Sequence, residues 1–327
     1  MKKLGFTLAM ILLAACNNEV SLYTGGDSVP VVYCLLDPGS SIQHIRLGRS
    51  YIGDSTLMAR PPEADSLIWK QEYEVYIEEY SGSGLQKTFS FSPDYSLAKD
   101  SGFFPAEGMA VYSSEFSPVP GNQYQLYVYF PDLGKMVSGR TTAHGLPTLV
   151  DPAPIPFRKI NFEAGQPYMI RWYPGEYSGV YECIFRIHYQ DSSASGNQFK
   201  SADYSSGGIY DLRTDQLLDH VLGGQQFFKD MTQQIPVIQD VSRKVISVEF
   251  IMISGGLDLS FLYKSAMESG TNFTNFGDYS NLINGIGIFS SRAVSRVSNL
   301  ELSNVTIDEL AHGAVTAKLN FKDSRGQ

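Results

Sequence analysis

The chain is poor in the residues that usually announce chemistry. It has three cysteines, two tryptophans and five histidines in 327 residues. No C-x-x-C or H-E-x-x-H pattern occurs, and His44, His144, His188, His220 and His312 lie far apart, so neither a metal centre nor a redox dithiol is expected. Basic residues number 25 against 34 acidic ones and form no cluster. That balance argues against a nucleic-acid partner and against docking on anionic lipid by charge. Beyond the first sixteen residues no apolar run approaches the roughly 18 residues that a spanning helix needs. G-x-S-x-G, G-x-x-x-x-G-K-[ST] and G-x-G-x-x-G are all missing, which leaves no sequence mark of a serine hydrolase or a nucleotide site. No internal repeat of fixed period is found.

What is present begins at the N-terminus. Met1-Lys2-Lys3 is basic, Phe6 to Ala14 is apolar, and Leu13-Ala14-Ala15-Cys16 closes the run with small residues before a cysteine. This order is that of a secretory signal, and the cysteine at the cleavage point resembles a bacterial lipobox. Residues 1–15 are therefore expected to be a signal peptide, with Cys16 acylated and the mature protein tied to a membrane by its lipid. Removing Lys2 and Lys3 takes the formal net charge from −9 to −11. Residues 16–27 read as a polar tether.

The chain as a whole is 43% hydrophobic and rich in Tyr (20) and Phe (19), and beyond the tether many of them stand in alternating runs that suit half-buried strands. The expected fold is mainly β: an N-terminal immunoglobulin-like β-sandwich over 28–145, a proline-rich linker over 146–156, and a second β-rich domain with a few short helices over 157–327. About seven short strands fit the first part. Tyr124, opening a late strand after the Pro120-Gly121 turn, resembles a tyrosine corner. In the second part, Tyr168–Trp172 and Val180–Ile187 resemble the start of a fibronectin-type module. Helices are expected near Gln225–Gln234 and Leu257–Met267, and Thr306-Ile307-Asp308-Glu309 has capping-box spacing. Ser192–Gly208 reads as a mobile loop. Gly285-Ile286-Gly287 reads as a close backbone approach or bulge.

Three stretches together resemble a large family of Bacteroidota outer-membrane lipoproteins of undefined function. They are Pro30–Pro38 with Ile45-Arg46-Leu47 and Ser50-Tyr51-Ile52; Pro120-Gly121-x-x-Tyr124-x-Leu126-x-Val128; and Asn284–Arg292. The resemblance implies a two-part β protein, often encoded beside TonB-dependent receptors. It implies no catalytic residue. It places the protein at the outer membrane and leaves open whether it faces the periplasm or the surface.

Candidate sites are few. Cys34 and Cys183 lie in strand-like runs; a cross-domain disulfide and two separately buried thiols are the alternatives, and the second is favoured. Trp172-Tyr173-Pro174-Gly175-Glu176-Tyr177 could form a sugar-stacking platform, although Trp172 reads better as core. Trp69 is the other ring expected to be exposed, so Trp69, Trp172 and Tyr177 are the ligand-binding candidates. Glu78-Glu79 point to opposite faces of a strand, and Asp211, Asp215 and Asp219 could line one helical face. Ser28, Ser55 and Ser66 sit in Asp-Ser-apolar triplets resembling O-glycosylation sites of Bacteroidota envelopes. The favoured reading is a non-catalytic lipoprotein without cofactor that binds a partner, such as a TonB-dependent transporter or a surface ligand. An envelope enzyme acting on glycans, or a structural component of the outer membrane, is the alternative.

Overall fold

A computed structural model describes residues 28–50, 73–96, 111–268 and 279–327. The signal peptide, Cys16, the tether, Ser55, Ser66 and Trp69 lie outside the described residues. The fold is mainly β. Seven strands make the first part: β1 (Pro30–Leu36), β2 (Ile42–Arg49), β3 (Glu74–Ser81), β4 (Gly84–Asp94), β5 (Val111–Glu115), β6 (Gln123–Phe130) and β7 (Lys135–Thr142). The second part contains β8 (Thr148–Asp151), β9 (Lys159–Ile160), β10 (Pro167–Tyr173), β11 (Ser178–Ser193), β12 (Gly196–Tyr210), β13 (Leu218–Gly223), α1 (Gly224–Gln234), β14 (Ser242–Gly256), α2 (Leu257–Glu268), β15 (Leu282–Ile283), β16 (Ile286–Leu302) and α3 (Asn304–His312).

The two parts share one strand order. In the first, β1-β2-β5 packs against β4-β3-β6-β7, and β4 joins the two layers because its last residues, Ser92, Pro93 and Asp94, pair with β5; in the second, β8-β10-β13 packs against β12-β11-β14-β16. Each is a sandwich of three strands on four, as in immunoglobulin-like and fibronectin-type modules. The repetition is invisible as sequence periodicity because only the alternation of apolar residues is shared. That alternation builds the cores: β1 buries Val32, Cys34 and Leu36, and β6 buries Tyr124, Leu126, Val128 and Phe130, all into one cluster. A second cluster gathers Trp172, Tyr181, Phe185, Phe227 and Phe250. Each such side chain contributes about 1.5–3 kcal/mol by leaving water. The tyrosine corner is present. Tyr124 Oη accepts from Val119 N at 2.7 Å and donates to Glu79 Oε1 at 2.7 Å, so this buried carboxylate sits inside the core with partners.

The expected cut at 146–156 does not separate the sandwiches cleanly. Residues 286–291 of β16 run parallel to β1 and belong to the first, while residues 292–300 run antiparallel to β14 and belong to the second. The short β15 also pairs with β7 of the first sandwich. The reason is the close approach read from Gly285-Ile286-Gly287. Gly287 has φ +123°, and a Cβ there would lie 2.1 Å from Val32 O, so only glycine lets β16 settle against β1.

Two further expectations are corrected. Ser192–Gly208 is not a loop: β12 pairs with β11 along nearly its whole length. As an edge strand exposed on most of its surface, β12 needs backbone partners rather than apolar side chains, and its Ser/Gly composition hid it. The capping residue of α3 is Ser303, which accepts from Thr306 N at 3.1 Å, three residues before the expected box. Thr306 instead accepts from Phe162 N at 2.8 Å and donates to Phe162 O at 3.0 Å, tying α3 to the chain after β9.

Candidate functional site

The Ser/His cluster lies where the sandwiches meet. His144 follows β7 and is fully buried. Its Nδ1 is 2.7 Å from Ser291 Oγ and its Nε2 is 2.9 Å from Ser254 Oγ. Its backbone N donates to the same Ser291 Oγ at 3.1 Å. A nucleophile and a base stand within reach, but neither meets solvent and no carboxylate orients the ring. Burial lowers the His144 pKa from 6.5 to about 4, so the ring is neutral near pH 7. The neighbouring contacts are of the same kind. Thr141 Oγ1 donates to Asp258 Oδ2 at 2.8 Å, Ser290 Oγ accepts from Leu259 N at 3.0 Å, and Gly145 N donates to Glu176 O at 2.8 Å. Gly145 and Gly175 meet backbone to backbone: a Cβ on Gly175 would lie 1.9 Å from Gly145 O. This arrangement clamps two sandwiches together; it does not offer a reacting atom a place to sit.

The thiols are equally closed. Cys34 and Cys183 are free and buried, and burial pushes the Cys183 thiol up to about 12, far from reactive thiolate. Among the described residues, no group of three or more His, Cys, Asp or Glu could hold a metal ion.

The outward face of β3 and β6 is different. Alternation turns Val75, Ile77, Leu126 and Val128 inward, and leaves Glu74, Tyr76, Glu78, Tyr80, Gln125, Tyr127 and Tyr129 facing out. Register places Tyr76 beside Tyr127 and Glu78 beside Gln125. The rings of Tyr76 and Tyr127 stack 4.9 Å apart at 21°, a separation set by the spacing of neighbouring strands. On either side the register brings only small neighbours, Ser90 next to Tyr76 and Ser138 next to Tyr127. Tyr80 Oη donates to Glu78 Oε2 at 2.6 Å, and Arg140 Nη2 donates to Gln125 Oε1 at 3.3 Å. A polar recess of about 340 Å³ lies at this end of the face, lined by Tyr80, Gly82, Ser83, Gln123, Gln125 and Arg140 among others. The hydrogen bond to Glu78 raises the Tyr80 pKa; desolvation, then the Glu78 charge, raises that of Tyr127.

The sequence candidates fall elsewhere. Trp172 is fully buried and packs on Tyr181 with ring centroids 5.2 Å apart, so it offers no stacking face, and of the rings at 172–177 only Tyr173 and Tyr177 are exposed. Tyr177 is 42% exposed at φ +60° and leans toward Gly121 of the first sandwich. Ser28 is nearly buried and its Oγ accepts from Arg49 Nη2 at 2.5 Å, an unsuitable position for a glycan. Asp211, Asp215 and Asp219 share no helix, because residues 218–223 are β13. Glu78 and Glu79 do point to opposite faces, Glu79 inward. The tyrosine face was missed although its period-two tyrosines are plain in the sequence. Alternation identifies a strand, but only the register shows that Tyr76 and Tyr127 are neighbours.

No protein-family model and no curated protein matches the chain. Among solved structures, the two-immunoglobulin-domain fragment of DIP-gamma (IG1+IG2) is 8% identical with a TM-score of 0.17, over 84% of this chain and 96% of that one. Dpr11 IG1 bound to DIP-gamma gives 8% identity and a TM-score of 0.19, over 84% and 98%. The C-terminal globular domain of an oligosaccharyltransferase from Pyrococcus abyssi gives 12% and 0.17, over 86% and 52%. At these scores none carries an argument; the fold rests on strand order and on the tyrosine corner.

Proposed function

We propose that this chain is an outer-membrane lipoprotein, acylated on Cys16, that binds a ligand or partner rather than transforming it. The basic start, short apolar core and small residues before Cys16 support the anchor. The observation that carries the binding half is the placement of polar and aromatic chemistry. The Ser/His contact is sealed inside the junction between the sandwiches, whereas an aromatic and hydrogen-bonding set faces outward on β3 and β6. A TonB-dependent transporter is the partner class that the family resemblance suggests.

Labelling with a clickable fatty acid tests the anchor. The parent should incorporate label and sediment with membranes, and Cys16→Ser should do neither. A Cys16→Ser protein that sediments like the parent overturns the anchor. A photoreactive residue at Tyr129, placed in cells, tests the partner. A recurrent crosslink to a transporter supports it, and a face that never crosslinks to protein removes the transporter from the proposal.

A further inference from the structure

We propose that the outward face of β3 and β6 is a binding site for an uncharged linear oligosaccharide. This rests on the reading that the protein binds rather than transforms, and it names the ligand class.

Three features select that class. First, the faces of the stacked Tyr76–Tyr127 pair that look away from each other are bordered by Ser90 and Ser138, whose side chains are too short to cover a phenol ring. Tyr129, at 38% exposure, extends the aromatic stripe. Ring faces left open in this way suit the C–H faces of pyranose sugars, which stack on aromatic rings as other apolar edges do. Second, the polar groups at the recess end are matched to one another. Glu78 is held by Tyr80, and Arg140 by Gln125. Glu74, exposed opposite Tyr129, and Glu78 outnumber Arg140 on this face, which disfavours an anionic ligand, and the phenol, carboxylate and amide groups offer donors and acceptors that suit sugar hydroxyls. Third, β3 lies between β4 and β6, and β6 between β3 and β7. No unpaired backbone edge is available here, and a peptide adding as a strand would need one. From Gln123 to Tyr129 the face runs about 20 Å at the usual rise of a strand, enough for several sugar rings in line.

The test is calorimetric titration of the soluble protein lacking residues 1–16 and retaining the whole folded chain, with malto-, cello-, manno- and xylohexaose as probes. At least one should bind. Tyr127→Ala and Tyr129→Ala should each weaken that binding by about tenfold or more, a change near 1.4 kcal/mol. Tyr127→Phe keeps the ring and should retain most of it, while Tyr177→Ala, on the other sandwich, should bind as the parent does. Circular dichroism checks that each variant folds, and Gln125→Ala serves if Tyr127→Ala does not. No binding by any probe at about 5 mM, where even millimolar affinity would show, overturns the proposal. So does binding that the tyrosine variants leave unchanged. The binding-protein reading would survive that failure if the Tyr129 crosslink still captured a protein in cells, and both would fall if it captured nothing.

Discussion

His144 shows how one residue can be read two ways. A histidine between two serines suggests catalysis until its burial is known; buried, it is a latch that depends on remaining neutral. Its folded pKa, near 4, is below the ordinary 6.5, so the unfolded chain binds the proton first. The stability it gives is therefore complete above about pH 6.5 and is lost as pH falls toward 4, by at most about 3 kcal/mol. Urea midpoints measured between pH 4 and 7 should fall on the acid side, and His144→Gln should flatten that part of the profile. Gly287 gives a second prediction. Any Cβ at this position strikes Val32 O, so Gly287→Ala should cost more than about 2 kcal/mol, read as a lowered melting temperature. Neither role is legible in the sequence. A lone histidine and a G-x-G triplet carry no sign of what packs against them, and a close approach could be expected at Gly287 without its partner being known.

At the level of elements, legibility followed periodicity. The strands with alternating apolar residues and the helices α1 and α2 lie where the pattern places them. β12 escaped because an edge strand is held by its backbone pairing with β11, and its exposed residues carry no apolar alternation. That edge is also guarded. Gln234, at the end of α1, accepts from Asp203 N at 2.9 Å and donates to Asp203 O at 2.5 Å, standing in for a neighbouring strand. Gln234→Ala should lower stability by about 1–2 kcal/mol and speed exchange of the Asp203 amide, measured by hydrogen–deuterium exchange. For α3, Ser303→Ala should cost about 1 kcal/mol through loss of the cap, seen as a shifted unfolding midpoint.

The whole molecule is more unified than two sandwiches on a linker. β16 belongs to both, β15 returns to β7, and the His144 latch closes the space between them. Calorimetry should therefore show one cooperative transition, and two well-separated transitions would mean that the shared strand does not couple the halves. This unity is the part least accessible from sequence. Proline-rich residues 146–156 look like a domain boundary, and nothing local tells that a strand more than a hundred residues later crosses back over it. The candidate binding face has the same origin, since it exists only once β3 and β6 lie side by side.

The crossing strand also sets a timetable. The seven strands of the first sandwich are complete by Thr142, yet the flank of β1 is paired by residues 286–291, roughly 150 residues further along the chain. A first half that folds before that segment arrives carries an open hydrogen-bonding border, which a strand of another chain could pair with in its place.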